Sequence, residues 1–222
     1  MSARTLLIMS CGATKNESDE WLPADQRYTG PLWQTLRSSC HLPPDTGIAV
    51  LSARYGLIQG STMTQNYNAR MTPAIAARMI EEGADALWPK APPGVNQVSF
   101  GNRASYEIAS LSRHGDAPFD RIVLCGGKLY VQVMKALIDD IRQMTPAFAF
   151  NADLEVIAGP IGKMRQALAR AFPAPMIVPA GKDDEEPPRS SRMRPAGPGF
   201  VTIGHYDGPL AEKEHAHEAV GA

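Results

Sequence analysis

A chain of 222 residues, 44% apolar and 20% charged, has the composition of one globular domain with room for a buried sheet and flanking helices. A net charge of −1 is not that of a general polyanion binder, but it leaves room for a local basic groove. Three widely spaced cysteines, Cys11, Cys40 and Cys125, and a first apolar run too short for a signal segment argue against a disulfide scaffold; they predict a reducing, cytoplasmic setting, and no run approaches the ~18 apolar residues of a membrane span.

Thr5 to Ser10 is a continuous apolar run that ends at Cys11-Gly12, the profile of a buried parallel strand. Gly30 to Cys40 carries Leu32, Trp33 and Leu36 at helical spacing, with Pro31 placed for a first turn. Gly47 to Ser52 repeats the strand profile. Thr72 to Trp88 reads as one helix, with Thr72 as cap and Ile75, Met79, Ile80, Ala84 and Leu87 on one face. Asn96 to Phe100 reads as a third strand and Arg103 to Ser112 as a helix. Arg121 to Cys125 is a buried strand closed by Gly126-Gly127, followed by a helix over Lys128 to Met144. Leu154 to Ala158 is the last strand and Ile161 to Phe172 the last clear helix.

Alternating strands and helices predict an α/β fold: a mostly parallel sheet with helices on both faces. The composition changes near Ala180. Residues 1–180 therefore form the predicted domain. Residues 181–222, poor in large apolar groups apart from Phe200 to Ile203, read as a mobile C-terminal tail.

In an open parallel sheet, ligands bind beyond the carboxyl ends of the strands. That rule gathers Ser10 to Lys15, Ser52 to Leu57, Cys125 to Gly127 and Gly159 to Lys163 on one rim. Cys11 and Lys15 stand four apart on the first loop. Cys11 reads either as a small buried packing residue or as a thiol made reactive by a neighbouring ammonium. Lys15 reads either as a surface charge or as an amine activated by desolvation. The loop Pro23 to Gly30, with Asp25, Arg27 and Tyr28, precedes a helix start, where Arg27 suits a phosphate and local capping is the alternative. Arg54 suits phosphate and Tyr55 suits base stacking. The amide-rich run Gln65-Asn66-Tyr67-Asn68 suits either a nucleobase edge or a local turn. The chain has no P-loop, no dinucleotide fingerprint, no H-E-x-x-H, no paired C-x-x-C and no G-x-S-x-G. It therefore predicts neither a cofactor nor a metal.

Ser-Cys-Gly-Ala-Thr-Lys over 10–15, Pro-Ala-Asp-Gln-Arg-Tyr-Thr-Gly-Pro-Leu over 23–32, Leu-Ser-Ala-Arg-Tyr-Gly-Leu-Ile over 51–58, and then Tyr67, resemble a bacterial and phage domain of unknown function. Its pattern is SC-x-x-K or SC-x-x-x-K, Y-[ST]-G-x-L, LSA-[KR]-[YH]-GL and a Pro-Tyr-Asp turn. This chain departs from the pattern at Asn66-Tyr67-Asn68. Gly126-Gly127, Tyr130 and Gly159 to Lys163 are compatible with it. The family is more distantly similar to YaaA-type DNA-associated proteins. It also resembles the lysine-transferring domain of archaeosine synthase, whose fold is uracil-DNA-glycosylase-like and whose motif lysine is the attacking amine.

The resemblance implies a three-layer arrangement of that kind and a nucleobase-handling pocket in phage defence or DNA modification. The expected activity is an N-glycosylase that removes a modified base from DNA. A binder of nucleotide or modified DNA without catalysis, and base transfer through a lysine adduct, are the alternatives. tRNA or a free nucleotide is the alternative partner. Lys15 is then expected as nucleophile or electrostatic group, with the electrostatic role favoured for a solvated lysine, Asp25 as the residue that orients water, and Cys11 beside them. Arg27 and Arg54 are expected on phosphates and Tyr55 or Tyr67 on the base. Ser10, Tyr28, Ser52, Gly56, Asn68, Gly126 and Gly127 complete the expected binding surface.

Overall fold

A computed structural model describes residues 3–96 and 101–174. The strands are β1 (Thr5–Ser10), β2 (Leu22–Pro23), β3 (Gly47–Ser52), β4 (Gly56–Gln59), β5 (Met63–Thr64), β6 (Leu87–Trp88), β7 (Asn102–Arg103), β8 (Phe119–Cys125) and β9 (Phe148–Ile157). The helices are α1 (Ala24–Arg27), α2 (Pro31–Ser39), α3 (Pro73–Glu82), α4 (Ala104–Leu111), α5 (Lys128–Met144) and α6 (Ile161–Ala171). Five strands make the central sheet in the order β4-β3-β1-β8-β9. Four of them are parallel, and β4 folds back antiparallel on β3. β2 pairs with β5, and β6 with β7, as small antiparallel additions.

β1 sits at the centre of the sheet, which is why Leu6 to Met9 are apolar toward both faces and all six of its residues are buried. Leu6 and Ile8 face one core with Ala49, Leu51, Ile122 and Leu124, closed by Met79 of α3, Ile108 of α4 and Leu137 of α5. Leu7 and Met9 face a second core with Val50, Ile58 and Val123, closed by Trp33 and Leu36 of α2 and Leu168 of α6. The fold is thus α/β with helices on both faces of a mostly parallel sheet. Each fully buried Leu or Ile contributes roughly 1.5–3 kcal/mol against exposure, so the two cores hold the sheet between the helix layers.

Some boundaries differ from those expected. α3 ends at Glu82 and does not continue to Trp88. Gly83 takes φ +75°, and its N–H returns to the Met79 carbonyl, which closes the helix. Leu87 and Trp88 then pair as β6. The last strand starts six residues earlier than its apolar run, at Phe148, because its outer edge is exposed and carries polar residues. β4 was not anticipated. The strand expected over 96–100 and the tail over 181–222 fall outside the described residues, apart from Asn96, which is not in a strand. Among the described residues no helix is long and apolar enough to cross a membrane.

Candidate functional site

The parallel register brings the strand ends level: Ser10 aligns with Leu51, and Met9 with Cys125. Pairing runs on just past them, from Cys11 N–H to Leu51 O at 2.9 Å and from Gly126 N–H to Ile157 O at 3.1 Å. Cys11, Ser52 and Gly126 therefore meet on one rim. Cys125 itself points down into the α2–α6 core, where burial pushes its thiol up to about 12. Gly126 is needed there: an added Cβ would stand 2.8 Å from the Ser10 side chain. Gly56 opens β4 at φ +75° with its backbone against Trp88, so it shapes the hairpin and not the rim surface.

Three hydroxyls join in a chain over the rim. Ser52 Oγ accepts from the Arg54 and Tyr55 backbone amides at 3.0 and 3.1 Å. Its single O–H is then left to donate to Tyr67 Oη, 2.8 Å away, and Tyr67 shares its remaining bond with Tyr28 Oη at 2.9 Å. The Tyr67 ring is pinned at its polar end, and Tyr55 packs edge-on against it at 5.2 Å between centroids. Tyr55 Oη in turn accepts from the Gln65 amide at 3.2 Å. Tyr28 is fully buried beside Trp33. Burial holds the phenols of Tyr28 and Tyr67 neutral, well above the usual tyrosine range.

Lys15 lies across this platform. Its Nζ is 4.4 Å from the centre of the Tyr67 ring. A bridge between Lys15 and Tyr28 ties the first loop to the segment before α2. Lys15 is half-buried, and that desolvation lowers its pKa from the ordinary lysine value; the nearby Cys11 opposes the shift and Arg70 adds to it. Cys11 is buried on the same loop, with its Sγ 3.1 Å from Tyr130 Oη. The Tyr130 phenol is raised by burial and by this contact, while the Met71 backbone amide acts the other way.

Two cavities flank the loop 11–15 and share Ala13 and Thr14 as walls. One, about 460 Å³, is lined by Lys15, Glu17, Asn66, Tyr67 and Asn68. The other, about 230 Å³, is lined by Ser10, Cys11 and Gly12, by Gly30 and Trp33 at the start of α2, and by Gly127 and Ile161 at the starts of α5 and α6.

Besides Gly56, two expected site residues are placed elsewhere. Arg27 is fully buried, and its guanidinium is occupied by four backbone carbonyls: Asn16 at 2.6 Å, Ser18 at 2.8 Å, Thr64 at 2.9 Å, and Glu20. It fixes the loop after Lys15 and does not face solvent, as a phosphate clamp must. Asp25 lies beside Gly60 and Ile48, at the start of β3 and so at the end away from the rim. Burial raises its carboxyl and the Arg37 guanidinium opposes that, but it does not share a cavity with Lys15. Arg54 is exposed at the rim. Asn66, read in the sequence only as one of several amides beside Tyr67, and Tyr130, read only as compatible with the resemblance, both belong with the site. The position of Tyr130 one helical turn into α5, after the Gly126-Gly127 rim turn, is the signal that points to it. The chain matches no protein-family model, and neither a curated protein nor a solved structure is significantly similar to it.

Proposed function

We propose that the rim is the active site of a nucleobase-processing enzyme, most concretely an N-glycosylase that removes a modified base from DNA, with Lys15 as the attacking amine. The observation that carries this reading is the half-buried Lys15, its pKa lowered by burial, held over the pinned Tyr67 ring at the mouth of a cavity lined by Asn66 and Asn68. A desolvated lysine holds a larger neutral fraction near neutral pH than a solvated one, and only the neutral amine is a nucleophile. The resemblance of the Cys11 to Lys15 segment to lysine-bearing nucleobase enzymes supports the same assignment.

In this reading the base is flipped out of the stack into the amide-lined cavity, where Asn66 and Asn68 present both donors and acceptors to its edge. The Lys15 amine attacks C1′. The N–C1′ bond forms as the glycosidic bond breaks, the bonding pair leaves with the base, and the base takes a proton from water. The sugar-bound ammonium loses a proton, and opening of the sugar ring gives a Schiff base that water hydrolyses. Tyr67 orients the amine without reacting.

The test is incubation with a panel of DNAs that carry different modified bases, with and without borohydride. Released base detected by mass spectrometry, together with a reduced covalent protein–DNA complex at Lys15, is the expected result. Base release without any trapped complex would leave Lys15 an electrostatic role only. No base released from any substrate would overturn the reading in favour of a binder without catalysis.

A further inference from the structure

We propose that the groove between α1 and α2, over the start of β3, is a second binding site, for a free α-amino acid with an apolar side chain, with Asp25 for its ammonium group and Arg37 for its carboxylate. The groove encloses about 320 Å³, inside the ~300–1,000 Å³ range of small-molecule sites. Trp33, Leu36 and Arg37 reach it from one face of α2, as their spacing of three and four residues allows. Leu42 and Ile48 complete its apolar lining. Both stay only partly buried although they pack against the second core, so an apolar occupant removes further surface from water. On the other wall, the Asp25 N–H donates to the Gly60 carbonyl at 2.9 Å and fixes α1 in place. The groove shares no lining residue with the Lys15 cavity, so the site does not rest on the reading of the rim.

The two charges supply the chemistry. Asp25 Oδ1 is buried without a hydrogen-bond partner among the described residues. Burial raises the Asp25 carboxyl above its ordinary value, and the Arg37 guanidinium only partly opposes that. A buried carboxylate short of donors costs free energy that a ligand donor offsets. Rotation about the Cβ–Cγ bond turns either oxygen toward the cavity. Arg37 bonds to the carbonyl of Asp25 and not to its carboxylate: Nη1 donates to Asp25 O at 2.8 Å and Nη2 to Tyr28 O at 2.9 Å. Those bonds hold the guanidinium beside Asp25, and its remaining N–H groups are in place for a carboxylate. An anion and a cation side by side over an apolar floor select a ligand whose ammonium, carboxylate and apolar side chain branch from one carbon. An aliphatic amine answers Asp25 and leaves Arg37 unmatched; an aliphatic acid does the reverse.

The experiment titrates the full chain with leucine, methionine and phenylalanine and follows amide chemical shifts. Saturable shifts at Gln26, Cys40 and Ile48 are expected with at least one of them. Each amino acid that binds is then compared with the amine that lacks its carboxylate and the acid that lacks its ammonium. Both analogues should bind about tenfold more weakly or worse, the worth of one charge-assisted contact. Asp25→Asn should weaken the amino acid and the amine by about tenfold, while the acid binds no more weakly than before. That substitution removes a desolvated charge and keeps the shape of the side chain. The thermal midpoint should therefore hold or rise, so lost binding cannot be blamed on unfolding. Absence of saturable shifts with all three amino acids, an analogue that binds as tightly as its parent, or unchanged affinity in Asp25→Asn overturns the site. Binding measured in this way requires no release of a base, so its outcome leaves the glycosylase reading to its own test.

Discussion

Lys15 and Tyr67 show how a single side chain acquires chemistry from its neighbours. The ring beneath the ammonium is fixed by Ser52 and Tyr28, and the burial that this arrangement creates lowers the lysine pKa. Lys15→Ala is expected to reduce turnover by a hundredfold or more with little change in substrate affinity, because an attacking group acts mainly in the transition state. Lys15→Arg separates the two roles. Arginine stays protonated, so it retains part of the rate if charge alone matters and none if a neutral amine attacks. For the attacking amine, the rate should climb as pH rises through the lowered lysine pKa, and a pH–rate profile checks that sign. Cys11 and Lys15 were legible from the strand end and the motif around it. Arg27 and Asp25 were not: residue type announces a charge but not whether the chain folds it inward. Only the surrounding carbonyls of Asn16, Ser18, Glu20 and Thr64 decide that Arg27 is a structural group.

At the scale of elements, those four carbonyls make Arg27 the fastener of the loop that carries Lys15 and of the β2–β5 pair. A lysine offers three donors on a point charge and cannot span four acceptors from separate segments. Arg27→Lys is expected to cost about 2–4 kcal/mol by leaving buried carbonyls unpaired, measured by urea unfolding, with faster amide exchange at Asn16 confirming that the loop loosens. The long apolar runs and the periodic helices could be read directly, because β1, β3 and β8 are buried on both faces and α5 has a clean inward stripe. β4 escaped because four residues beside a polar rim motif carry too little pattern. The end of α3 was misplaced because the apolar face continues past Gly83, while the backbone at that glycine does not.

The whole molecule keeps several acidic protons where water cannot stabilise their loss, and that sets its behaviour in alkali. Burial raises the Cys125 thiol from 9.0 to about 12, and raises the phenols of Tyr28, Tyr67 and Tyr130 above their ordinary value of 10.0. In the unfolded chain all four ionise earlier. Their stabilisation is thus complete below about pH 9 and is lost as pH rises through the raised folded values. Lys15 has the opposite sign: its lowered folded pKa means the unfolded chain holds the proton longer, so its share of stability rises with pH below 10.5. Four groups outweigh one, and stability should fall steeply from about pH 9 upward. Each group that ionises only in the unfolded chain adds about 1.4 kcal/mol per pH unit to that slope. Cys125→Ala is expected to be less stable at neutral pH, because it leaves a small void in the α2–α6 core, yet to show a shallower loss between pH 9 and 10, where the thiol is the first of the four to ionise. Urea midpoints at a series of pH values under reducing conditions check both effects. A wild-type stability that stays flat from pH 9 to 11, or a Cys125→Ala slope equal to that of the wild type, would mean that these buried thiol and phenol groups exchange with water far more freely than their packing implies.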